Sequence, residues 1–228
     1  MFKKERFELK KMIWVIGTIL AISISGYAFV QYFILGANKS GFVMSKISFG
    51  EVLNHLWYIM VYIHALTSLI ALAIGPFLLS RKIRNKNRER HKQIGKVYYF
   101  CILFGGLTGL YLAFEATGGI ISTLGFGILS IFWIVTAGVA LFKIRQRQVQ
   151  SHRKWMIRNY SLTFAAVTLR IWLLIFILIA GIENYETSYM IISWLCWIPN
   201  LLIAEFYVNK ADKIFSNIID FQEVGNKQ

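Results

Sequence analysis

Six predominantly apolar stretches, each longer than twenty residues, run along this 228-residue chain at about 12–36, 57–80, 96–117, 120–142, 157–181 and 188–208. The hydrocarbon core of a bilayer is about 30 Å thick and a helix rises about 1.5 Å per residue, so each stretch is long enough to cross it. A soluble fold of this length has too little interior to hide six such segments. Alternation of period two is absent, which argues against a barrel. The expected fold is therefore an all-α integral membrane protein with six transmembrane helices. The composition agrees, with 57% hydrophobic residues and a mean hydropathy of +0.55.

A net charge of +14 would suggest a nucleic-acid partner if it were spread over a surface. Here its placement decides the reading. The first eleven residues hold five Lys and Arg, the 81–96 loop eight, the 143–158 loop six and the segment after 208 three, which puts 22 of 25 on one side of the membrane. The other side has only Lys39 and Lys46, and Arg170 lies within a span. This is positive-inside asymmetry, and it predicts cytoplasmic N and C termini, a multi-pass cell-membrane location and attraction to the anionic cytoplasmic leaflet. No nucleic-acid-binding motif accompanies the charge. The first apolar run is too long for a cleaved signal peptide and no A-x-A site follows it, so it reads as a retained span. The resulting organisation is a basic N-terminus over 1–11, one six-helix domain over 12–208 and a cytoplasmic tail over 209–228 with a short interfacial helix.

The two basic loops repeat one another. Lys82-Ile83-Arg84 precedes His91-Lys92, and 61 residues later Lys143-Ile144-Arg145 precedes His152-Arg153. Tyr99 and Tyr160 match at the same offset. The spacing predicts a parallel internal repeat of hairpins 57–117 and 120–181 about an axis along the membrane normal, with spans two to five as a four-helix core. Gly75-Pro76 predicts a kink in span two, and Gly105-Gly106-x-x-Gly109 a close helix contact. Cys101 and Cys196 fall inside spans near opposite faces, which implies neither a disulfide nor a thiol metal site.

Ionisable groups inside hydrocarbon cost free energy, about 2.5–3.5 kcal/mol for a central Arg or Asp on insertion scales, so they mark candidate sites. Counted along the helix axis, His64, Arg170 and Glu115 fall roughly 10, 16 and 4 Å below the outer face. A long Arg snorkels across much of such a difference. These three are the expected ligand-binding cluster of the outer half, suited to a quinone headgroup or a small anion. Glu205 joins the candidate ligand-binding residues on the inner side. His91 and His152, at the same depth on two helices, are the expected cofactor or metal ligands, for haem b or a transition metal.

Several of these residues also carry a family resemblance. His64, Gly75-Pro76, Arg84, His91-Lys92, Gly95-Lys96, Tyr98, Gly109-Leu110 and Ala113 resemble the first half of a bacterial membrane family, domain of unknown function 2306. Its most recognisable segment resembles His152-Arg153-Lys154-Trp155-Met156-Ile157-Arg158-Asn159-Tyr160 followed by Leu162-Thr163 and Ala165 to Arg170. Asn200-Leu201 and Ala204-Glu205 resemble its last span. The resemblance covers roughly 50–208 and implies attention to His64, His91, His152, Arg170 and Glu205, without an activity. The architecture is loosely similar to that of cytochrome b561-type proteins. From these residues the leading expectation is a membrane redox or small-ligand-binding protein that uses the His91/His152 pair. The alternatives are a transporter or lipid-handling protein working through the outer-half site, and a structural or regulatory subunit without chemistry.

Overall fold

The computed structural model describes residues 2–210, which are helical with no strand among them. Six helical segments are long and apolar enough to cross a membrane: Lys11–Ile34, His55–Leu79, Arg88–Phe114, Gly119–Arg145, Val149–Ala180 and Ile182–Lys210. Helix α1 (Phe2–Phe29) ends in a π-helical turn, Val30–Ile34. Gly36, at φ +89°, reverses the chain into a 3-10 turn and α2 (Gly41–Ser48). The Ser40 hydroxyl accepts the Val43 N–H to start α2. Helix α3 (His55–Leu79) starts on Asn54, whose Oδ1 accepts the Trp57 N–H at 2.8 Å. The short α4 (Arg81–Lys86) leads to α5 (Arg88–Phe114), and a glycine turn with φ +93° at Gly118 leads to α6 (Gly119–Arg145). Span five is divided at Phe164 into α7 (Val149–Thr163) and α8 (Ala165–Ala180). Span six is divided at 196–197 into α9 (Tyr185–Leu195) and α10 (198–210). The tail helix expected after 209 lies, beyond residue 210, outside the described residues.

Helices α3, α5, α6 and α7 pack in that order, and α7 returns against α3 to close the four-helix core. Span one packs on α3, and span six packs on α6 and α8. The central cluster joins Tyr98, Cys101 and Ile102 to Trp133, Leu162, Cys196 and Trp197. Both cysteines are free and buried, and both belong to this cluster. Large apolar side chains such as Phe104, Leu178, Ile179 and Phe206 face outward, as helices in contact with lipid require.

The helices run further than apolarity alone indicates. Helix α5 begins at Arg88 rather than near 96, and α7 at Val149 rather than near 157. Polar residues are adequate helix formers, and Asn87 caps α5 by accepting the Arg90 N–H at 2.9 Å. His91 and His152 are therefore in first helical turns, not in loops. Their N–H groups donate to Asn87 O and Gln148 O, two residues that are themselves 61 apart. The repeat also reaches the core. Tyr98 and Asn159 share that offset and are hydrogen bonded to each other at 2.8 Å. Equivalent residues in a twofold repeat touch one another only near its axis.

Gly75 and Pro76 act together. Proline has no N–H for the carbonyl four residues back, so Leu72 O loses its helical donor. The Tyr160 hydroxyl donates to it at 3.2 Å. Glycine makes room for the ring, since a Cβ at position 75 would stand 2.1 Å from Tyr160 Cε2.

Candidate functional site

The middle of the bundle holds a closed polar lock. Tyr98 Oη donates to Asn159 Oδ1 at 2.8 Å and pairs with Thr163 Oγ1 at 2.9 Å. Trp133 Nε1 donates to Thr163 Oγ1 at 2.8 Å. The Asn159 amide donates to Trp133 O and to Thr136 Oγ1, each at 2.8 Å. Asn159 is fully buried, and its donors and acceptor are all used. A second set mends the breaks in spans five and six. Asn200 Nδ2 donates to Ser161 O, Thr168 Oγ1 and Cys196 O, while Thr168 Oγ1 donates to Cys196 O at 2.5 Å. Irregular backbone inside a membrane needs such replacements. The first set is saturated, and the second leaves only Asn200 Oδ1 without a partner among the described residues.

The far end is closed in the same manner. Lys46 is fully buried beneath the segment that joins spans one and two. Its Nζ donates to Glu115 O at 2.6 Å and Thr117 Oγ1 at 3.1 Å and forms an ion pair with Glu51. The Phe42 and Trp57 ring centroids are each 6.0 Å from it. Glu115 thus contributes its backbone to this knot, and its side chain lines an open cleft of about 330 Å³ with Glu51 and Glu186. Nothing in the sequence separates Lys46 from an ordinary loop lysine.

Arg170 is held differently. Its Nη1 donates to Ala166 O at 2.6 Å, and the guanidinium carbon is 6.0 Å from the Tyr27 ring centroid. His64, Tyr32 and Tyr189 lie within electrostatic reach. Among the described residues Arg170 has no carboxylate partner and no second hydrogen bond. His64 Nδ1 donates to Gly105 O at 2.8 Å, which leaves Nε2 as the acceptor nitrogen, 3.5 Å from Ser68 Oγ. The imidazole fits against α5 because Gly109 is bare; a Cβ there would stand 3.0 Å from His64 Cε1. The structure therefore brings His64 and Arg170 into one neighbourhood and sets Glu115 apart from both. The reason is directional. Side chains on a helix lean toward its N-terminus, and Arg170 reaches back one turn to Ala166, away from the end where Glu115 stands.

At the basic end Glu205 is taken up by Arg158, whose Nε and Nη2 donate to Oε1 at 2.5 Å and Oε2 at 2.8 Å. The same guanidinium lies 4.7 Å from the Trp155 ring centroid. This bidentate pair fastens α10 to α7. His152 Nδ1 donates to Ala140 O at 2.8 Å. His91 Nδ1 is buried and has no hydrogen-bond partner. Arg84 and the two histidines interact electrostatically. Among the described residues no group of three or more His, Cys, Asp or Glu is placed to hold a metal ion. A bis-imidazole iron needs only two ligands, yet a cation between these two meets Arg84 and the positive ends of two helix dipoles. The set suits an anion better.

Comparison with known proteins gives one match. The profile of a family described as "Predicted membrane protein (DUF2306)" matches residues 61–208. The match takes in His64, His91, His152, Arg170 and Glu205 and leaves out span one and Lys46. No curated protein and no solved structure matches the chain.

Proposed function

This chain belongs to the DUF2306 family of predicted membrane proteins, and from that premise we propose that it is a lipid-handling protein that binds an anionic amphiphile near the middle of the membrane. One observation carries the reading: a guanidinium within a membrane span makes a single hydrogen bond, to Ala166 O, and faces no acid among the described residues. An intramembrane charge at this cost is kept where something uses it. Its planar fork suits a carboxylate or phosphate.

The approach is from the bilayer. Leu174 and Leu178 follow Arg170 at helical spacing on α8 and are 60% and 75% exposed, and Tyr27 beside the guanidinium is 51% exposed. A bare anion would cross apolar surface to reach it, whereas an acyl chain lies favourably along that stripe. His64, with Nε2 as acceptor, can accept a hydrogen bond from the P–OH of a monoprotonated phosphate headgroup, and a carboxylate offers it none. The positive-inside rule puts the basic end in the cytoplasm, and Arg170, roughly 16 Å below the opposite face, stands near the middle of the bilayer. The competing redox assignment, with haem b or a transition metal on His91 and His152, asks that cluster to accept a cation that Arg84 opposes.

Oleate and oleyl alcohol differ in charge and share a chain, so they test the proposal on the detergent-purified protein. Oleate raises the unfolding midpoint of the wild type by several degrees more than the alcohol does. Arg170→Gln removes that difference, and Arg170→Lys keeps part of it. Equal effects of the two amphiphiles on the wild type would overturn the reading.

A further inference from the structure

The basic end contains a second cationic site that the Arg170 reading does not use. Along 82–92 every residue is exposed except Arg84 and His91, which are half-buried. An arginine in a solvated basic turn has no need to point inward, and among the described residues the Arg84 side chain makes no hydrogen bond or ion pair there. His91 Nδ1, beside it, is buried and unpartnered. His152 completes the set from α7. Its Nδ1–H donates to the Ala140 carbonyl, which leaves Nε2 an acceptor, suited to the P–OH of a monoprotonated phosphate. Both histidines are in the first turns of long helices, so the free N–H ends of α5 and α7 lie at the same end. Arg145, the repeat equivalent of Arg84, is exposed. At this repeat position the inward arginine therefore belongs to the first hairpin.

We propose that Arg84, His91 and His152 form a binding site for a phosphate group at the basic face of the membrane. Arg84 supplies the fork, His91 Nδ1–H a donor, and the two helix N-termini a favourable field for negative charge. The phosphate comes from one of two sources, a lipid headgroup in the adjoining leaflet or a soluble phosphate compound. Either source gives the orphaned Nδ1 the partner that burial demands.

The test separates this site from the general attraction of a basic face for anionic lipid. Full-length protein in mild detergent is titrated with phosphatidic acid, with phosphatidylcholine and with inorganic phosphate, and bound molecules are counted by native mass spectrometry. The wild type retains one phosphatidic acid in preference to phosphatidylcholine. Arg84→Gln weakens that retention about tenfold, and Arg84→Lys restores part of it. Arg90→Gln, an exposed change in the same turn, leaves it unaltered. Displacement of the lipid by inorganic phosphate identifies a soluble ligand, and its failure to displace identifies a headgroup; both keep the site. Equal losses in Arg84→Gln and Arg90→Gln overturn it. So does a haem absorption band or a stoichiometric metal in the wild type that disappears in His91→Gln. Neither outcome bears on the Arg170→Gln comparison.

Discussion

Asn159 uses both amide hydrogens and its carbonyl oxygen on partners in two neighbouring helices, whereas Arg170, further along the same span, commits one N–H to its own helix. Both are costly groups to place in a membrane. Asn159 is repaid locally by Tyr98, Thr136 and Trp133, which tie α5, α6 and α7 at one level. Arg170 has no such repayment within the described residues. The difference teaches that polarity inside a span does not by itself mark a site. The accounting of donors and acceptors does, since a saturated group specifies packing and an unsaturated one awaits something.

Three substitutions put pressure on that contrast. Asn159→Leu removes three interhelical hydrogen bonds, while Tyr98 keeps Thr163 and Thr136 keeps Phe132 O, so stability falls by about 2–4 kcal/mol, at about 0.6–1.7 kcal/mol per interhelical bond in a membrane. Unfolding in graded denaturing detergent measures it, and an unshifted midpoint would mean that the lock is slack. Lys46→Met comes next, at about 1–3 kcal/mol. It strands Glu51, but that carboxylate is 30% exposed and regains water, so the full penalty of a broken buried pair does not apply. Cysteine probes placed at Ser45 and Ser48 should label faster if the segment between spans one and two loosens. Arg170→Gln has the smallest effect and a different sign. Without ligand it leaves stability unchanged or slightly raised, because it removes an intramembrane charge that makes one bond. A large loss would place Arg170 with Asn159 as a structural group.

Much of this was legible beforehand because it rests on length and sign. Six apolar runs fix the spans, the charge asymmetry orders their ends, and the 61-residue offset places His91 and His152 at matching positions. Helix ends were not, since Arg88 to Gln93 and Val149 to Lys154 are polar yet helical. The lock was hidden for another reason. Tyr98, Trp133, Asn159 and Thr163 are ordinary residues in membrane helices, and their bonds join positions up to 65 apart in sequence. The offset of Tyr98 and Asn159 was the available clue. Arg170 and Glu115 were conspicuous individually, but depth counting gives height and not direction, and Arg170 leans away from the end where Glu115 lies.

The Leu72 carbonyl has a consequence for the birth of the chain. Pro76 deprives it of its helical donor as soon as span two is made, and Tyr160, its replacement, follows 88 residues later. At about 5–20 residues per second that interval lasts roughly 4–18 s on the ribosome. During it, span two rests in lipid with an open acceptor and a glycine notch that only the fifth span fills. A partially synthesised chain thus cannot complete span two until the second hairpin arrives.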